Sequence, residues 1–170
     1  YNDQFNQTVT RVYDGSHLLL PGMSGVITPY KHQLDAIWRI VTGGSTLLWH
    51  VVGAGKTFTM TAACMEMRRL GKAAKPILVT PNHLLAQMAA DVVRFYPNAN
   101  ILMASKEDFQ GDKRKEFCAR IATGDWDMVV MTHKIHMGAN LPSVKAGGSY
   151  QIIGFNQGVS DWSTVGLPTD

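Results

Sequence analysis

Five consecutive residues, Gly53-Ala54-Gly55-Lys56-Thr57, have the types and spacing to bind a polyphosphate. The two glycines let the backbone turn tightly and aim several N–H groups at one point, a nest for anions. Lys56 is a mobile cation able to reach β- and γ-phosphates, and the Thr57 hydroxyl can ligate Mg²⁺ beside them. A helix beginning here would add the positive end of its dipole. The general pattern for such a loop is G-x-x-x-x-G-K-[ST]. Counted back from Gly55, its first glycine position is held by His50.

That pattern has meaning only between a strand and a helix, and both are legible. Leu47 to Val52, LLWHVV, reads as a buried strand, and Thr57 to Leu70 as a helix that stops at Gly71. The competing reading is an ordinary strand–turn–helix with a surface lysine. Ahead of the loop, Thr28-Pro29 has the form of an N-cap followed by proline at the first helical position. Tyr30, Leu34, Ile37, Trp38 and Val41 then recur at helical spacing up to Gly43-Gly44. Gln33, near the start of that helix, carries an amide that donates and accepts at once and could read adenine N6 and N7. A solvated helix glutamine is the plainer alternative.

After the loop, apolar runs alternate with amphipathic ones. Ile77 to Thr80 is a short strand, His83 to Tyr96 a helix, Asn100 to Ala104 a strand, Asp112 to Thr123 a helix and Trp126 to Thr132 a strand. This alternation predicts βαβ units and a parallel sheet, with the strand before the loop in the centre. Ligands of such sheets sit at the carboxyl ends of the strands. Thr80-Pro81-Asn82 and Thr132-His133 fall at such ends, on one edge with the glycine loop. Arg68, Arg69 and Lys72, and likewise Lys113, Arg114 and Lys115, read as solvated helix faces more readily than as nucleic-acid contacts.

The flanks are different. Residues 1–27 carry two possible short strands, Val9 to Tyr13 and His17 to Leu20, around the turn Asp14-Gly15-Ser16, and read as an entry segment on the domain edge. Residues 134–170 are rich in Gly, Ser, Asn and Pro, with Tyr150 to Phe155 the one strand-like run, and are expected to pack poorly on the sheet and to carry no site. The chain has 170 residues, net charge +3 and 45% hydrophobic content, enough for one domain with a real core. Mild basicity permits nucleic-acid binding without requiring it. Cys64 and Cys118 lack metal-ligand spacing, and a reduced, cytoplasmic setting fits them. No apolar run approaches membrane-spanning length. The chain starts at Tyr1, so it is expected to be part of something longer.

With these segments in place, the chain resembles the first RecA-like lobe of a superfamily 2 helicase on the Snf/DEAD-like translocase branch. Within that branch it is similar to the helicase half of phage- and plasmid-borne methyltransferase–helicase proteins, over about residues 1–133. TPYKHQLDAIWRI resembles the adenine-reading Q-motif region, HVVGAGKTFTM motif I, PILVTPNHLLAQMAADVVRFYP motif Ia and DWDMVVMTH motif Ib. The resemblance implies an α/β P-loop NTPase fold. It would be a three-layer RecA-like sandwich, incomplete and ending in an irregular tail, with residues 28–133 as the partial ATP-binding lobe. It implies ATP and Mg²⁺ as cofactors. Gln33 would read adenine, the stretch Gly53, Ala54, Gly55, Lys56, Thr57 and Phe58 would bind the nucleotide, Lys56 would act on the phosphates and Thr57 on the metal. Thr80, Asn82, Thr132 and His133 would face a nucleic-acid backbone, DNA before RNA, and a second RecA-like lobe would be missing. The family also implies an Asp-Glu pair ending a strand after motif Ib. The nearest segment here is Ile152-Ile153-Gly154-Phe155-Asn156-Gln157, with amides in place of carboxylates and more easily read as chance similarity. Three functions stay open: a fragment of an ATP-driven helicase or translocase, a nucleotide- or DNA-binding module without hydrolysis, and a small-molecule P-loop kinase. The last would need an arginine-bearing lid and an acidic substrate site, which the sequence does not show.

Overall fold

The computed structural model of the chain describes residues 11–104, 108, 113–132 and 152–154. Helix α1 spans Lys31–Gly43 and α2 spans Lys56–Arg69. Strand β1 (Ile77–Thr80) leads through a 3₁₀ turn at Asn82–Leu84 into α3 (Leu85–Phe95). Then follow β2 (Ile101–Met103), α4 (Lys113–Thr123), β3 (Met128–Thr132) and β4 (Ile152–Gly154).

The four strands form one parallel sheet in the order β2-β3-β1-β4. Ile77 pairs with Val129 and with Ile152, and Thr80 with Thr132. Because side chains alternate along a strand, β1 and β3 send Leu78, Met128 and Val130 into one core and Val79, Val129 and Met131 into another. The first core is closed by α1, α2 and α3, and the second by Phe117 and Ile121 of α4. Helices therefore cover both faces, giving the three layers expected. Helix α2 is buried from Phe58 to Cys64 and again at Glu66 and Met67 because it packs against both α1 and α3.

Two expectations are corrected. Leu47 to Val52 forms no strand, central or otherwise. Leu47, Trp49, Val51 and Val52 are 65%, 87%, 77% and 89% exposed. The apolar pattern was β-like, but a strand exists only through its partners, and none of the described strands pairs with this segment. Conversely, Ile152–Gly154, from the stretch expected to pack poorly, joins the sheet beside β1.

Smaller differences have local causes. Helix α1 starts at Lys31 rather than after Thr28, because the Gln33 Oε1 accepts the Tyr30 N–H at 3.0 Å and makes Tyr30 the cap. No strand forms at 11–20. That segment is tied to the domain instead by the Gly15 N–H on Asp35 Oδ1 (2.9 Å), and the residues after it by the Ser24 N–H on the Phe95 carbonyl (2.8 Å). A Cβ on Gly15 would run into the Leu34 carbonyl. Of the cations at the end of α2, Arg69 and Lys72 are exposed as expected and Arg68 is partly withdrawn, but all three are engaged by partners in the chain. Arg68 bonds Asp125 (2.7 Å) and Asp127 (2.8 Å), Arg69 bonds the buried Glu66 (2.6 Å), and Lys72 Nζ bonds the Val41 carbonyl (2.6 Å). These bonds join α2 to the start of β3 and to the end of α1. Burial in the same helix pushes the Cys64 thiol up to about 12, and both cysteines are free.

Candidate functional site

The glycine loop hangs on the N-terminus of α2. Gly53 and Gly55 have φ of 85° and 80°, a left-handed backbone that costs an L side chain about 1–2 kcal/mol. Gly55 is the N-cap of α2, and no side chain caps that end. The first turn of α2 also holds no acidic residue. The backbone N–H groups that open a helix have no intrahelical acceptor, so this end is arranged for an external anion. Lys56 Nζ bonds the loop's own carbonyls, His50 at 2.9 Å and Val51 at 3.0 Å. The Thr57 side chain is half-buried in the same first turn. Phe58, expected to contact nucleotide, turns its ring into the core. It is 5% exposed and edge-on to Phe95 at 5.4 Å, so only its main chain is left to face the loop.

Gln33 is brought to the loop, in a manner the sequence did not reveal. It is 7% exposed. Its Nε2 donates to the Ala54 carbonyl at 3.0 Å while its Oε1 accepts the Tyr30 N–H. Both ends of the amide are thus engaged, and reading adenine would require both bonds to be released. A Cβ on Gly55 would collide with Gln33 Nε2, so the second glycine is required by this contact as well as by its φ.

Two histidines to which the sequence assigned no role lie here too. His32 Nε2 is 3.3 Å from the Ala54 carbonyl, and its ring stacks on Tyr30 (5.7 Å) and meets His50 edge-on (5.6 Å). Burial, then His32, then Lys56 hold the His50 imidazole below its ordinary range. The signal was present in the sequence, as a histidine standing where the loop pattern has glycine.

At the sheet edge, Thr80 and Thr132 are register partners on adjacent strands, as the sequence placed them. Their side chains are enclosed, 0% and 2% exposed, and neither hydroxyl has a hydrogen-bond partner. Enclosure withholds them from a nucleic-acid backbone in this form. Asn82 is exposed, and His133 lies outside the described residues. A cleft of about 170 Å³ lined by Leu20, Pro21, Met65, Glu66 and Tyr96 is near the other end of α2 and holds none of the predicted residues.

The family described as a probable helicase domain matches residues 38–145, which include the glycine loop, β1 and β3. The chain belongs to this helicase-domain family. The match begins downstream of Gln33 and runs past 133, where the lobe was expected to end. The helicase domain is also 31% identical over 85 residues to the defense against restriction protein B of Escherichia phage P1, an alignment covering 50% of this chain and 4% of that protein. Among solved structures it is similar to the Sulfolobus solfataricus SWI2/SNF2 ATPase core in complex with dsDNA, at TM-score 0.53 and 17% identity over 69% of this chain and 24% of that one. The same ATPase core domain solved separately gives TM-score 0.50 and 15% identity over 77% and 27%. The chain thus spans a small part of the phage protein and about a quarter of the solved cores. At these identities the structures speak for the fold alone, an α/β arrangement similar to part of the SWI2/SNF2 ATPase core. Among the described residues, no helix is long and apolar enough to cross a membrane.

Proposed function

We propose that this helicase domain is the ATP-binding part of a DNA helicase or translocase whose whole chain couples ATP hydrolysis to movement on nucleic acid. The carrying observation is the open N-terminus of α2, with Gly55 as its cap, no acid in its first turn and Lys56 Nζ on the loop carbonyls. The residues fit Mg²⁺-ATP. The main-chain N–H groups of Gly53 to Phe58 and the Lys56 ammonium would hold phosphates, and the Thr57 hydroxyl would hold the metal. When bound, the nucleotide supplies the phosphoanhydride whose hydrolysis drives movement. Asn82, exposed at the carboxyl edge, is the best placed of the described candidates for a phosphate-backbone contact, with His133 beyond β3 as a second. The dsDNA held by one solved relative supports DNA as the partner. The free cysteines support a reducing cytoplasm as the setting.

A second reading, binding without hydrolysis, is favoured by one observation. Strand β4 lies parallel to β1, and the residues following it are Phe155, Asn156 and Gln157 rather than a carboxylate pair. A neutral amide cannot serve as a general base.

Titration of the purified chain with Mg²⁺-ATP and Mg²⁺-ADP tests the shared part of both readings. Lys56→Ala removes a charge-assisted contact worth about 1.5–3 kcal/mol, or roughly 10- to 150-fold in affinity. Equal affinity for wild type and variant would show that the loop is not the site. A phosphate-release assay with and without DNA then separates the readings. Release that DNA stimulates and Lys56→Ala abolishes requires a catalytic carboxylate, and binding without release supports the second.

A further inference from the structure

His50 stands where the phosphate-loop pattern has its first glycine, so a titratable side chain replaces a hydrogen atom beside the cradle. Its ring is met edge-on by His32 at 5.6 Å, and its main-chain carbonyl accepts Lys56 Nζ at 2.9 Å. His32, from the start of α1, is itself 3.3 Å from the Ala54 carbonyl of the loop. Three basic side chains from α1, the loop and α2 therefore converge on Gly53 to Lys56. His50 Nδ1 is enclosed and has no hydrogen-bond partner, and an unpaired buried polar atom carries a free-energy cost that a ligand can remove.

The groups facing His50 are His32 on α1 and Lys56 on α2, both basic. Asp35, the acid of α1, is engaged elsewhere with Lys31 at 3.3 Å and with the Gly15 N–H at 2.9 Å. With burial and two basic neighbours, the free loop favours a neutral imidazole. A polyphosphate in the cradle reverses this balance, because its negative charge favours the imidazolium.

We propose that His50 is a proton-linked ligand of the bound polyphosphate: nucleotide binding at the loop is accompanied by uptake of one proton from solvent onto the His50 ring. The imidazolium then donates a hydrogen bond to a phosphate oxygen. This rests on the phosphate-loop reading above and adds to it a residue and a pH dependence. One charge-assisted hydrogen bond of this kind is worth roughly tenfold in affinity. Affinity for the di- and triphosphate should therefore rise by up to about that factor as pH falls from 8 to 6, the range in which histidine titrates.

The test is calorimetric titration of the purified chain with Mg²⁺-ADP near pH 6.5 in buffers of different ionisation enthalpy, which counts protons exchanged on binding. ADP titrates in the same range, so the quantity read is the difference between wild type and His50→Asn. The expected result is that wild type takes up more protons than the variant, with an affinity gap that narrows as the pH is raised to 8. Equal proton uptake by the two proteins, with binding retained, would overturn the proposal. So would an affinity gap that is the same at every pH, because His50 would then only shape the loop. If wild type binds no nucleotide at any pH, the phosphate-loop reading falls and this proposal with it. A second measurement does not depend on the variant's folding. In imidazole-labelled wild type, the NMR titration of His50 should move to higher pH on adding Mg²⁺-ADP, and an unmoved titration would refute the assignment.

Discussion

Replacing Gln33 with alanine separates two roles that the sequence alone leaves merged. In the structure the Gln33 amide joins the N-terminus of α1 to the phosphate loop, through Tyr30 N–H at 3.0 Å and the Ala54 carbonyl at 3.0 Å. Each such bond contributes about 0.5–1.5 kcal/mol net, so the pair contributes about 1–3 kcal/mol. Part of the loss is softened, because Tyr30 is exposed and its freed N–H can find water, and because His32 stays within 3.3 Å of the Ala54 carbonyl. A cost of about 2 kcal/mol corresponds to a fall in melting temperature of roughly 4–8 °C for a chain of this size. The loop, no longer held, should bind every nucleotide less well, so ATP and GTP affinities should fall together and their ratio should stay constant. Thermal unfolding of wild type and Gln33→Ala, followed by ATP and GTP titrations of each, measures both. A melting temperature that does not move, together with an ATP-over-GTP preference that collapses, would refute the tie and make Gln33 an adenine reader.

Gly124→Ala should destabilise the domain by about 1–3 kcal/mol, read by denaturant midpoint. Its Cβ would fall on the Trp126 indole nitrogen, which is already bonded to the Arg120 carbonyl at 2.8 Å. Stability should also fall at alkaline pH through Cys64. The folded thiol is pushed up to about 12 from an ordinary 9, so its contribution is fully present below pH 9 and is lost as pH rises toward 12. The slope is at most about 1.4 kcal/mol per pH unit for this group, and Cys64→Ala should remove that share of it in urea denaturation at stepped pH.

The helices were legible because their information is local. Apolar spacing, glycine stops and cationic ends located α1 to α4 to within a few residues, and the βαβ rhythm gave β1, β2 and β3 as well as the parallel sheet. What was missed depends on residues distant in sequence. Whether LLWHVV becomes a strand is decided by a neighbour that its own composition cannot name, and the same holds for Ile152–Gly154, which pairs with residues 75 positions earlier. Gln33 was read as a candidate ligand contact because its amide can pair in two directions. It does so, but with the protein's own backbone, across a separation of 21 residues for Ala54. Phe58 followed the loop motif in sequence, yet the helix turn carries its ring inward. Arg69 is exposed as expected, whereas Arg68 is partly withdrawn because its acids, Asp125 and Asp127, lie more than fifty residues away and are identifiable as partners only once folded.

The described helix ends are finished in ways that bear on the proposed phosphate loop. Carbonyl ends are met by donors from the chain itself. Lys72 reaches Val41 at the end of α1 and Lys75 takes Ile121 and Ala122 in the last turn of α4, each at 2.6 Å, while at the end of α2 the Gly71 and Lys72 N–H groups bond the Arg68 and Met67 carbonyls, each at 2.9 Å. The N-terminus of α1 is tied by Gln33. That of α3 grows out of a 3₁₀ turn whose own bonds run from Leu84 N–H to Pro81 and from Leu85 N–H to Asn82. The N-terminus of α2 differs in its cap. The N-terminal ends of α1 and α3 likewise have no side-chain cap and no acid in the first turn, but of the three only α2 has a left-handed glycine for its cap, with Lys56, His32 and His50 beside it. A helix dipole carries about half a positive charge at that end. The Lys56 ammonium beside it adds a full positive charge. A carboxylate at the cap would contribute about 1 kcal/mol to stability, and it would also occupy the place of a phosphate. On the proposed phosphate-loop reading, leaving that end open keeps its electrostatic attraction for the ligand.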